Sequence, residues 1–144
     1  LAGAKHVPAG VTATDPPEPY ERLPSAERYA RRAARFRERN PDVPVIEALD
    51  SKILSLVDSG QGNLEMGGWH TCDTTHCRAG WVVFLAGEKG KKLEENSDTL
   101  FAAMQIYHAS SPINVSPVRF FEKNDVALSD IKRCAAEEAA LAQP

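Results

Sequence analysis

"CRAGWVVFLA", residues 77–86, is the stretch on which the fold turns. From Trp81 to Ala86 every side chain is apolar, so a helix here has no face to offer water and is buried all round. Trp, Val and Phe also favour strands. Helical spacing, however, gathers Cys77, Gly80, Trp81 and Phe84 on one face, which selects a helix over about 76–86. Gly87 suits its end. Just upstream, His70, Cys72, His76 and Cys77 fall within eight positions. A buried helix start leaves backbone N–H groups that water cannot reach, and Thr74 or Thr75 is the expected N-cap. Asp73 favours the positive end of the helix dipole. Trp69 and Trp81 are placed to clamp the two sides.

Working outward, "SAERYARRAARFRERN" (25–40) reads as a helix capped by Ser25 and stopped before Pro41. Tyr29, Ala33 and Phe36 give it a thin apolar stripe. Six arginines against two glutamates make it basic. It reads as a solvated helix resting on the core, with nucleic-acid phosphate or a protein as alternative partners. Pro44 suits the first turn of a second helix, about 44–58, with Ile46, Leu49, Ile53, Leu56 and Val57 inward. "SGQGNLEMGG" (59–68) is a glycine-rich loop without phosphate-loop spacing. "EKGKKLEEN" reads as a short exposed helix or turn. A helix over about 98–109, capped by Ser97 or Asp98, turns Leu100, Phe101, Met104 and Tyr107 inward. A last helix, capped by Asn124 or Ser129, runs to about Leu141, with Leu128, Ile131, Cys134 and Ala135 on one side. No segment alternates as a strand does, and no hairpin turn joins two strand-like runs. The predicted class is all-α: about five short helices packed around one buried central helix.

Residues 1–24 hold five prolines and no apolar periodicity, so they read as a linker or arm, with a single helical domain over 25–144. The chain opens at Leu1 rather than methionine, which reads as an excerpt of a longer or processed protein. A net charge of −3 argues against non-specific coating of nucleic acid. No apolar run reaches membrane-spanning length, and no secretory signal pattern is present. Three cysteines, an odd count with two close together, fit a reducing, cytoplasmic setting.

The Cys–His segment supports several chemistries. As architecture, it supplies caps, small buried thiols and satisfied histidines. As a catalytic site, Cys77 at a helix N-terminus is the nucleophile, His70 or His108 the base, and Asp73 the group that orients a histidine. His76, next to Cys77 on the helix, points elsewhere. As a zinc site, His70, Cys72, His76 and Cys77 are the ligands, in a spacing unlike common zinc motifs. A Cys72–Cys77 disulfide is a further reading, disfavoured by a reducing compartment. Arg78 with the free N–H groups of the helix start would make an anion site. Cys134 reads as core, and His108 as a satisfied, partly buried histidine.

"WHTCDTTHCRAGWVVFLAGEKGKKLE", continuing through "IYHASSP" and "RFFEKNDVALSDIKRCAAEEAA", resembles a group of uncharacterised bacterial and prophage-type domains with a W-H-T-C-x-T-T-H-C-R-A-G-W core. The likeness covers about residues 45–140. A looser similarity, to small phage and bacterial proteins with C-G-T-x-x-C-x-A-G, keeps Cys-x4-Cys without the histidines. It implies that His70 and His76 are less required as ligands than Cys72 and Cys77; Asp73 departs from it where glycine stands. Some members of the group sit beside pentapeptide repeats, and "LAGAK" is similar to the tail of one. The resemblance implies a phage or mobile-element origin and names no reaction. The expected function is a small cytoplasmic interaction or accessory domain with no cofactor. A thiol-dependent hydrolase or transferase and a small zinc-binding domain are the alternatives.

Overall fold

In a computed structural model, residues 25–142 are described; the arm expected over 1–24 lies outside them. Helix α1 spans Ser25–Arg39, with Glu27 in its first turn and Arg37 and Arg39 in its last, as the helix dipole favours. It ends where Asn40 closes back on the Phe36 carbonyl, ahead of Pro41. Ala33 is buried, and Phe36 stacks on His108 at 5.6 Å.

Helix α2 spans Leu49–Asp58, starting later than the sequence predicts. Residues 44–48 stay outside it, and Ala48 sits in the left-handed region at φ 51°, where a side chain is unfavourable. Ala48 offers no capping oxygen. Glu138, 88 residues beyond Asp50, does the capping: its carboxylate accepts from the Asp50 and Ser51 N–H groups and the Ser51 hydroxyl. A carboxylate at a helix N-terminus satisfies both the orphan donors and the dipole.

Next comes a small sheet that corrects the purely helical expectation. Its strands are β1 (Asn63–Leu64), β2 (His70–Cys72) and β3 (Thr75–His76), in the order β1-β3-β2. β3 runs parallel to β1 and antiparallel to β2, with His70 opposite His76 and Cys72 opposite Thr75 across an irregular register. Strands of two or three residues are too short to show an alternating pattern.

Helix α3 (Arg78–Leu85) follows after one residue. Its cap is neither threonine. Thr75 is taken up by β3, and the Cys77 sulfur accepts the Gly80 N–H at 3.3 Å. Residues Arg78 to Val83 are buried, but Phe84 is 47% exposed, so the helix is not enclosed on all sides. Gly87, at φ +64°, turns the chain into α4 (Gly87–Asn96). Helix α5 (Thr99–Ser110) begins at Asp98, whose carboxylate accepts the Phe101 N–H. Phe101, expected inward, is 49% exposed. A 3-10 turn at Pro117–Phe121 leads into α6 (Asn124–Ala142). Helix α2 packs along α6, and α3 along α5. Leu49, Ile53, Trp81, Val82, Ile106 and Ile131 fill the interior.

Candidate functional site

Two residues apart in the chain, His76 and Arg78 begin two different ionisable clusters. Arg78 points inward and is 0% exposed. Its Nε donates to the Tyr107 hydroxyl at 3.0 Å, Nη1 to Asp130 at 2.6 Å and Nη2 to Asp50 at 3.0 Å, with the Cys134 sulfur 3.5 Å from Nη2. Tyr107 in turn donates to the same Asp50 oxygen at 2.7 Å. One guanidinium thus ties α3 to α2, α5 and α6. Burial pushes the Asp50 carboxyl up to about 6, against the pull of Arg78 and Tyr107. Burial would also raise Asp130, but hydrogen bonds from Arg133 and Arg78 outweigh it and hold that carboxyl below its usual range. Burial alone would lower Arg78; Tyr107 and the two carboxylates prevail, so it stays charged. The anion-site expectation for Arg78 is therefore corrected: its donors are consumed within the protein.

The second cluster faces a groove of about 420 Å³ lined by His70, Cys72, Asp73, His76, Phe84 and Glu94, among others. The two imidazoles meet at their Nδ1 atoms, 2.7 Å apart. His76 Nε2 lies 3.1 Å from the Asp73 backbone carbonyl, and His70 Nε2 lies 2.6 Å from Glu94 Oε2. The Thr99 hydroxyl is 2.7 Å from that same Glu94 oxygen. The bonding fixes the proton pattern. A backbone carbonyl only accepts, so His76 carries its proton on Nε2. Burial pushes the His76 imidazole below its ordinary range, which keeps it neutral and leaves Nδ1 a bare acceptor. His70 Nδ1 then donates to it, and the second His70 nitrogen shares a proton with Glu94. His76 is 4% exposed and packs edge-on to Trp81, with ring centroids 4.6 Å apart.

The expected catalytic set does not assemble around Cys77. That thiol is 1% exposed and caps α3, and burial pushes it up rather than down. His108 stacks on Phe36 and lines a different cavity, with Arg32 and Met104. Asp73 does hold a histidine, His76, but through its carbonyl. His70 and Cys72 share the groove, and Cys72 is exposed. Hydrogen bonding from Thr75 and Thr74 lowers the Cys72 thiol.

The four-ligand zinc set does not form either, since Cys77 is committed to the cap. Among the described residues, no group of three or more His, Cys, Asp or Glu side chains is arranged to hold a metal ion. Cys72, Cys77 and Cys134 are all free thiols, so the Cys72–Cys77 disulfide is absent; one thiol lies outside and the other inside. No helix among the described residues is long and apolar enough to cross a membrane.

Glu94 carries no signal in the sequence, because "EKGKKLEEN" has the composition of an exposed helix, and Thr99 stands unmarked at the start of the next one. Asp50 carried a faint signal: it stands beside Leu49 and three residues before Ile53 on an otherwise apolar stripe. Comparison with models of known protein families, with curated proteins and with solved structures finds no match.

Proposed function

We propose that this domain is a small interaction or accessory module of phage or mobile-element type, working on a protein partner in a reducing compartment. In this reading the second half of the Cys–His segment is architectural, and α3 is the element that the other helices wrap. One observation carries it: the polar groups of Cys77 and Arg78 are spent internally, the sulfur on the Gly80 N–H and the guanidinium on Tyr107, Asp50 and Asp130. The arginines of α1 support a bracing role as well, since Arg37 donates to the Ala109 carbonyl and Arg32 reaches Asn114. Trp69, Val118 and Phe121 offer an exposed apolar surface for a partner. Thiol labelling with a chromogenic disulfide tests the architectural assignment. One thiol, Cys72, reacts at once in the native protein, and Cys77 and Cys134 react only in urea. Rapid native labelling of Cys77, with the helical signal retained, overturns it.

A second reading is favoured by the groove. The thiol hydrolase or transferase alternative fits Cys72 better than Cys77, because Cys72 is exposed, its thiol is lowered, and it shares the groove with His70. Acyl transfer from p-nitrophenyl acetate to the protein, lost in Cys72→Ser and slowed in His70→Ala, would support it. Equal release of nitrophenol by wild type and Cys72→Ser would end it.

A further inference from the structure

We infer that His70 and His76 form a two-imidazole site for a divalent transition-metal ion such as Zn²⁺ or Ni²⁺. Metal-binding histidines almost always donate their second ring N–H to a carboxylate or a backbone carbonyl, which fixes the tautomer and aims the free nitrogen at the ion. Both outer partners are present here. His70 Nε2 is held by Glu94 at 2.6 Å and His76 Nε2 by the Asp73 carbonyl at 3.1 Å. Glu94 is itself held by the Thr99 hydroxyl at 2.7 Å. With both Nε2 atoms held by these outer partners, the two Nδ1 atoms face each other 2.7 Å apart across a shared hydrogen bond, the position at which an ion would be taken up. Two ring nitrogens each about 2.0–2.1 Å from one tetrahedral ion stand about 3.3–3.4 Å apart, so the two rings part by roughly 0.6 Å to admit it. A single proton between the nitrogens satisfies the pair; a divalent ion displaces that proton, with His70, the more exposed ring, turning to let both nitrogens reach it.

The site is built rather than incidental. His76 is fixed against Trp81 and Phe84, with ring centroids at 4.6 and 4.9 Å, and is 4% exposed. The strand pairing sets His70 directly opposite His76. Imidazole ligands suit zinc, nickel and copper rather than calcium or magnesium. The protein supplies two ligands, so the remaining positions face the groove and are open to water or to an incoming group. This differs from a four-ligand Cys–His site: Cys77 takes no part.

Isothermal titration of Zn²⁺ into the purified chain tests the site, with quenching of tryptophan fluorescence by Ni²⁺ as a second readout, because Trp81 lies against His76. One ion per chain is expected. His70→Ala, at the partly exposed member of the pair, is expected to weaken binding at least tenfold while its circular dichroism and melting temperature stay near wild type. Cys72→Ser is expected to leave the affinity within threefold. Absence of binding to wild type, or equal binding by His70→Ala, overturns the site; loss of binding in Cys72→Ser overturns it in favour of a thiolate site.

Discussion

The clusters begun by Arg78 and His76 are separated by one residue of chain and by the wall of the core. Around Arg78, every guanidinium nitrogen meets an acceptor supplied by another helix, with the side chain fully buried. Around His70 and His76, the bonds run along the rim of a groove and end on Glu94, in a setting with His70 about one-third exposed. The difference is one of cost. A charge taken out of water must be repaid by near-complete pairing, and removing one partner strands the others. A charge at a rim keeps part of its hydration, and its loss is mild. The same few residues therefore hold the protein together on one side and leave chemistry available on the other.

The sharpest way to break this contrast is Arg78→Met. It leaves Asp50 buried without its cation and takes one of Asp130's partners, with Arg133 remaining, and is expected to cost about 3–5 kcal/mol in urea denaturation. His70→Ala, measured in the same way, is expected to cost under about 1 kcal/mol. Comparable losses would show that the two clusters are not energetically distinct.

Gly80→Ala tests the wall between them. A methyl at Gly80 would run into the Trp69 carbonyl and press on His76. That carbonyl accepts the Cys77 N–H. The chain must shift where the sheet meets α3, at an expected cost of about 1–3 kcal/mol. Thermal melting gives the cost, and native labelling of Cys77 should rise if the wall opens. An unchanged melting temperature would contradict the close approach.

The smallest effect is expected at His108, which belongs to neither cluster. Burial, and then the nearby Arg32, lower this imidazole below its ordinary value. As pH falls through about 6.5, the unfolded chain takes the proton before the folded one does, so stability is lost on acidification. His108→Phe should flatten the decline in melting temperature between pH 7 and pH 5 slightly. A steeper decline in the variant would reverse the sign of this argument.

Legibility differed in the same way between the two regions. The helices expected over 25–40, about 76–86 and about 98–109 are legible because their apolar residues recur at helical spacing and their ends carry proline, glycine or aspartate. The start of α2 was misplaced because its cap, Glu138, comes from the far end of the chain. Thr74 and Thr75 looked like caps because threonine is a good one, yet β3 claimed Thr75 and a thiol took the task. Cys77 looked like a nucleophile because a helix N-terminus activates a thiol. Burial reversed that effect, and the depth of a residue is not written in its neighbours.

By itself the sequence determined that the chain would be mainly helical, that a helix over about 76–86 would be buried, which holds from Arg78 to Val83 but not at Phe84, and that the Cys–His segment would sit at its entrance. Periodicity and capping act over a few residues, so they are present in the string. Only the tertiary structure decided which ionisable groups would be stranded together. It brought Asp50, Tyr107 and Asp130 to Arg78, and Glu94 and Thr99 to His70, from helices dozens of residues apart. Desolvation and pairing depend on what packs beside a group in space. In this protein they turned the expected reactive thiol into a cap and the histidines into a candidate site.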